Sequence, residues 1–249
     1  MKKLMAAGLM MGVAMAANAQ VLYQTNFDSF ALGSELNIQA GWSAFGDTGM
    51  TIQADPARSG RSVRFDWAST PATGTYWNWV DLGYNANTTN NKVLVGKVWF
   101  YMASGSTAAT QGPFLGLDAY DSSLANVARI RANAFDRTVQ LAPGAIYSVS
   151  TTANAWNFNT WNSLELVMNF NTRTVSGLLN GVSLGGPVAM THTLTEVADI
   201  DLFGTRTTGM SSNGLFLDDY TVEAVPEPAT LGALGLVAAL AARRRRKSA

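Results

Sequence analysis

The 249-residue chain has no cysteine and a single histidine, His192. Without thiols it can form no disulfide framework, no thiolate zinc site and no cysteine nucleophile, and one imidazole cannot build a His-cluster metal centre. Serine–histidine–aspartate catalysis would have to run through His192. That residue sits in Thr191-His192-Thr193, with no nucleophile-elbow motif nearby, and reads as a surface or turn histidine. Between the two ends of the chain, no window of 11 or more residues carries a convincing helical period. Charge is also sparse, at 14% of residues, and the formal net charge of zero is misleading. Seven of the 17 Lys and Arg lie at the extreme ends, leaving 10 bases against 16 acids between them once Glu227 is set aside. The central region is therefore acidic, which argues against a nucleic-acid partner or an anionic lipid surface.

The ends themselves read as addresses. Lys2-Lys3 is a basic start, an apolar stretch follows, and Ala17-Asn18-Ala19 fits the small-x-small rule for cleavage after Ala19 by signal peptidase. At the other end stand Val225-Pro226-Glu227-Pro228, an uncharged run over residues 231–242, and then Arg243, Arg244, Arg245, Arg246 and Lys247. Two prolines two residues apart keep the Glu227 segment extended and out of helix or central strand, where a processing enzyme can grip it. Twelve residues span about 18 Å as a helix, against about 30 Å of hydrocarbon, so the run suits a temporary anchor better than a lasting one. The basic cluster would hold its end in the cytoplasm. In motif, apolar run and Arg cluster the tail resembles the PEP-CTERM family. The resemblance implies export, transient retention in the inner membrane and cutting near Pro226-Glu227-Pro228 by an exosortase, with a final place at the cell surface or in the extracellular matrix. The expected organisation is a signal peptide over residues 1–19, a domain over 20–224 and a sorting tail over 225–249.

Within the domain the period is two. Val63, Phe65 and Trp67 alternate with Ser62, Arg64 and Asp66, and Leu164, Leu166, Met168 and Phe170 alternate with Ser163, Glu165, Val167 and Asn169. Further strands are expected near residues 21–28, 76–82, 93–102, 114–120, 127–132, 138–141, 146–149, 174–179, 182–184, 199–203 and 215–222. Asn180-Gly181 is a strong two-residue hairpin signal. Many short strands over about 200 residues predict an all-β fold, a two-sheet antiparallel jelly-roll-type sandwich. Helix is expected only in the signal and in the short apolar run of the tail. Trp161-Asn162-Ser163-Leu164-Glu165-Leu166-Val167 with the following Asn180-Gly181, and the closing Phe216-Leu217-Asp218-Asp219-Tyr220-Thr221-Val222, resemble segments of concanavalin-A-like (laminin-G-like) sandwiches. That resemblance implies a family whose members often bind glycans, sometimes with calcium, and sometimes hydrolyse them.

No recognisable catalytic motif is present. The Glu-x-Asp-x-x-Glu run of concanavalin-like hydrolases is missing, and Glu196-Val197-Ala198-Asp199-Ile200-Asp201 differs from it in order and spacing. Glu35, Glu165, Glu196 and Glu223 read as solvated strand-edge acids. Loop acids suit calcium, a hard cation of six to eight oxygen ligands, and Asp118, Asp121, Asp199 and Asp201 are the candidates; Asp218 and Asp219 are weaker because they fall within a strand. For glycan contact the candidates are Trp77, Trp79 and Trp156, since exposed rings stack on sugars. The sandwich core is the expected place of Trp161 and Trp79, whereas for Trp77 and Trp156 core and surface are equally open. The expectation is a non-catalytic, exported surface or matrix protein with weak glycan binding and exopolysaccharide as partner. A polysaccharide hydrolase or lyase of the same fold is the alternative, and ice binding a lesser one, because no regular Thr-x-Thr ladder appears.

Overall fold

A computed structural model describes residues 18–45, 49–65, 74–104, 112–206 and 214–226. Residues 1–17 with Ala17, Trp67, Glu227, Pro228, the apolar run and Arg243 to Lys247 lie outside the described residues, so the two expected terminal helices do as well. Among the described residues no helix is long and apolar enough to cross a membrane.

The first strands are β1 (Gln20–Thr25), β2 (Trp42–Phe45), β3 (Met50–Gln53), β4 (Ser62–Phe65), β5 (Gly74–Val80) and β6 (Tyr84–Asn85). The middle of the chain forms β7 (Val93–Met102), β8 (Phe114–Tyr120), β9 (Asn126–Asn133), β10 (Val139–Ala142), β11 (Val149–Ser150) and β12 (Trp161–Asn169). The remainder is β13 (Thr174–Leu179), β14 (Val182–Ser183), β15 (Val188–Ala189), β16 (Glu196–Val197), β17 (Asp199–Arg206) and β18 (Leu215–Val225).

Two antiparallel sheets face one another. The first runs β14-β13-β12-β7-β18-β4-β3, with β1 added on β18 and β15 on β13; the second runs β11-β10-β9-β8-β17-β5-β2. Period-two patterning places Leu94, Val98, Phe100, Leu164, Leu166 and Met168 of the first sheet against Leu115, Leu117, Ile130, Leu141, Ile200 and Leu202 of the second, all essentially without solvent contact. Gly204 on β17 shows how closely the layers meet, because a Cβ there would stand 2.3 Å from the Phe65 ring.

The hairpin from β13 to β14 forms where expected. Leu179 pairs with Val182 across Asn180 and Gly181, whose φ angles of 51° and 76° fit the primed turn this dipeptide favours. β18 departs from simple alternation. Asp219 adopts φ 46° and the register slips between Asp218 and Thr221, so Leu217 and Tyr220, three apart, both face the core. The Tyr220 hydroxyl then donates to the Ile200 carbonyl of the opposite sheet at 2.5 Å.

Candidate functional site

The face of the second sheet that turns away from the core carries the most chemistry. Strand pairing lines up one residue per strand in a row: Gln140 opposite Arg131, Arg131 opposite Gly116, Gly116 opposite Phe203, Phe203 opposite Trp77 and Trp77 opposite Phe45. Opposed residues of an antiparallel pair project to the same side, and six strands about 4.8 Å apart make the row about 24 Å long. One end is aromatic: Phe45 is 68% exposed and lies 5.9 Å, centroid to centroid, from the half-buried Trp77. The other end is polar, with Arg131 Nε donating to Gln140 Oε1 at 2.8 Å.

A parallel row two residues along joins Arg129, Asp118 and Asp201. The Leu82 N–H to Ala198 carbonyl bond carries the β5–β17 register onward and sets Trp79 opposite Asp201. Asp118 is 2% exposed and is ringed by donors. Arg129 grips it bidentately, Nε to Oδ1 at 2.9 Å and Nη2 to Oδ2 at 2.8 Å. The Tyr120 hydroxyl at 2.9 Å, Trp77 Nε1 at 3.3 Å and the Asn126 amide complete the set. Burial pushes the Asp118 carboxyl up while Arg129 pulls it down; burial likewise opposes the Arg129 charge, and Asp118 more than offsets it. This acid is a structural hub holding Trp77 and Arg129 in place.

Asp199 and Asp201 differ in character. They share a face of β17 and are 7% and 4% exposed, and each has a buried Oδ1 without a hydrogen-bond partner. Burial raises both carboxyls, Asp201 further because the Asp199 and Asp118 charges add to it. Both carboxyls are thereby held above the ordinary carboxylate range, and each disfavours the charge of the other.

The candidate metal acids group differently from the expected pairs: Asp118 and Asp201 are opposed across β8 and β17 with Asp199 two residues along, and Asp118 is already spent on Arg129. Asp121 lies apart in the turn after β8: it accepts from Ser123 at 2.7 Å and stands 3.0 Å from His192 Nε2. Burial works against its charge, and the Ser123 and Ala125 donors together with His192 hold the carboxyl below its ordinary range. Among the described residues no group of three His, Cys, Asp or Glu side chains is arranged to hold a metal ion. Asp218 takes the Arg58 and Asp219 backbone N–H groups at 2.7 Å each, so its carboxylate closes the β18 bulge.

The tryptophans divide between core and surface. Trp156 is 1% exposed, packed edge-on against Phe100 at 5.3 Å and Phe158 at 5.0 Å, and a ring enclosed in this way cannot stack on a sugar. The segment before it is folded back by the Asn154 and Ala155 N–H bonds to Asp136 and Arg137 carbonyls. Trp79, expected in the core, is half-buried on the outer face beside Trp77; Trp161 is also half-buried and packs at 5.7 Å on Tyr101. The glutamates do not face one another: Glu165 pairs with Lys97 at 2.8 Å on the first sheet and Glu196 accepts from Ser122. Phe45, Arg131, Gln140 and Tyr147 were not singled out beforehand. Arg131 was the one with a signal, a charged residue in the alternating Ala128-Arg129-Ile130-Arg131-Ala132 run.

Comparison with known proteins agrees with this picture. Residues 224–247 match the family model of the PEP-CTERM protein-sorting motif, so the chain carries that motif. No curated protein matches the chain. Solved structures match well in shape. The conserved carbohydrate esterase of the Shiga toxin-encoding bacteriophage phi24B aligns with TM-score 0.57 at 16% identity, over 84% of this chain and all of that one. The carbohydrate recognition domain of Emp47p aligns with TM-score 0.54 at 7% identity, over 84% and 97%. Peanut lectin aligns with TM-score 0.54 at 12% identity, over 83% and 97%. At such identities the likeness shows the fold, a concanavalin-like jelly-roll sandwich.

Proposed function

We propose that this is an exosortase-processed surface or extracellular-matrix protein that binds a polysaccharide across the outer face of the second sheet, without cleaving it. The carrying observation is the row from Phe45 and Trp77 to Arg131 and Gln140. It offers apolar ring faces at one end and hydrogen-bond donors and acceptors at the other, on six rigid strands. Sugars present both kinds of surface, CH faces and hydroxyls, and the two ends of the row match one each. The sorting motif supports export and passage through the inner membrane, where such a ligand would be met. The structural neighbours include a carbohydrate esterase and a carbohydrate recognition domain, which fits a glycan. Affinity electrophoresis of the 20–224 domain in polysaccharide gels tests the reading. Retardation that falls about tenfold in affinity in Trp77→Ala supports it; a folded protein that no polysaccharide retards removes it.

A hydrolase or lyase is the second reading, favoured by one observation: Asp199 and Asp201 are buried side by side, raised by burial, and each leaves a buried oxygen unpartnered. Against it, the two acids are neighbours on one strand, whereas acid and base in glycoside hydrolysis flank the scissile bond. Release of reducing ends, abolished by Asp199→Asn with the fold intact, would put this reading first.

A further inference from the structure

We infer that the polysaccharide is acidic, and that Arg131 binds the carboxylate of a uronic-acid unit. This rests on the glycan-binding reading and names its ligand class. The surroundings of Arg131 carry the argument. Its guanidinium carbon lies over two rings, 3.5 Å from the Phe114 centroid and 3.8 Å from the Tyr147 centroid. Its Nε is fixed by Gln140 at 2.8 Å, which aims the two Nη groups. No carboxylate of the described residues lies within ion-pair distance of it. Burial works against its charge and holds its pKa below the ordinary value.

The other arginines show how unusual this is. Arg129 and Arg58 direct their Nη groups at Asp118 and Asp219. Arg61, Arg137 and Arg173 direct theirs at Phe30, Asn154 and His192 oxygens. Arg131 alone in this set has its Nε on a side-chain amide and no carboxylate or carbonyl of the described residues on its outer fork, which lies against the Tyr147 phenol. A desolvated cation costs stability unless an anion completes it, and a planar guanidinium fork matches a carboxylate in shape and donor count. Gly116, next in the row, places no side chain between Arg131 and the aromatic end.

The test compares polygalacturonate with its fully methyl-esterified form, in which a neutral ester replaces each carboxylate, and adds dextran sulfate and dextran. Retention of the full-length protein is read by affinity electrophoresis in 150 mM salt, about the physiological ionic strength. The expected result is at least about tenfold tighter retention on polygalacturonate than on its ester, and loss of that preference in Arg131→Gln. Arg131→Lys keeps the charge but not the fork. It should lose most of the preference as well, while its melting curve shows that the fold survives. Equal retention on acid and ester, still weakened by Trp77→Ala, overturns the uronate assignment and leaves glycan binding standing. Retention on dextran sulfate that equals that on polygalacturonate and persists in Arg131→Gln also overturns it, as diffuse charge attraction. No retention on any of the four removes both readings.

Discussion

Tyr220 of the first sheet donates its hydroxyl to the carbonyl of Ile200 in the second, at 2.5 Å, between the two residues that bear the paired acids. The phenol is wholly buried, and burial first, then the Asp201 and Asp199 charges, push its pKa well above the ordinary value. The bond thus links the bulge in β18 to the backbone that presents Asp199 and Asp201. Tyr220→Phe leaves the ring in place and removes the donor from a buried carbonyl, which costs about 1–3 kcal/mol. For a domain of about 200 residues, each kcal/mol is worth about 2–4 °C in melting temperature. Differential scanning calorimetry showing no drop would mean that the bond contributes nothing.

The Asp199–Asp201 pair should make stability fall as pH rises. Both carboxyls are raised in the fold, by burial first. The folded state therefore binds protons more tightly than the unfolded chain, for which an aspartate titrates near 3.9. This contribution is fully present below that value and is lost as pH climbs through the raised folded values. Asp201→Asn resembles the protonated form and should flatten the dependence. Urea melts should show it close to the parent at pH 5 and more stable at pH 8. A variant that is less stable at both values would place the charge, and not the proton, on Asp201.

How much of this was legible in the chain depends on the kind of signal. The ribbon of β12, β13 and β14 is written locally: Leu164, Leu166 and Met168 alternate, and Asn180-Gly181 turns the chain with positive φ at both residues. The outer-face row is not local. Gln140, Arg131, Gly116, Phe203, Trp77 and Phe45 come from six strands whose spatial order, β10-β9-β8-β17-β5-β2, departs from chain order after β8. Asp199 and Asp201 were visible as acids, but not as central-strand residues, because Ile200 and Leu202 face the core only once β17 is inserted between β8 and β5. In β18 the alternation misleads, since Asp219 in the left-handed region shifts the parity of every residue after it.

Asp118 is predicted to matter for binding through what it holds. Asp118→Asn removes one face of the bidentate Arg129 pair and leaves that guanidinium without its counter-charge, at a cost of about 3 kcal/mol for a largely buried pair. The Trp77 indole loses a fixed acceptor at the same time. Retention on polysaccharide should weaken even at temperatures where the variant is fully folded by circular dichroism. Unchanged retention in the folded variant would show that Trp77 is positioned by its ring packing alone.

The tail prediction follows from where β18 ends. Its ladder with β7 runs to the Val225–Val93 pair, and Pro226, with no N–H to give, cannot extend it. The first two residues of the sorting motif, which spans residues 224–247, thus close the ladder, and the Pro-Glu-Pro segment begins where it ends. A cut after Pro226 or beyond would release the tail without unpairing a strand. A chain ending at Pro226 should accordingly melt within about 1 °C of the full-length protein, well under the shift expected for a lost buried hydrogen bond. In a host with an exosortase, the exported protein should lack Arg243 to Lys247 by mass spectrometry, and Glu227→Ala should retain them. Recovery of the basic cluster on the exported wild-type protein would show that the motif is present but not cut.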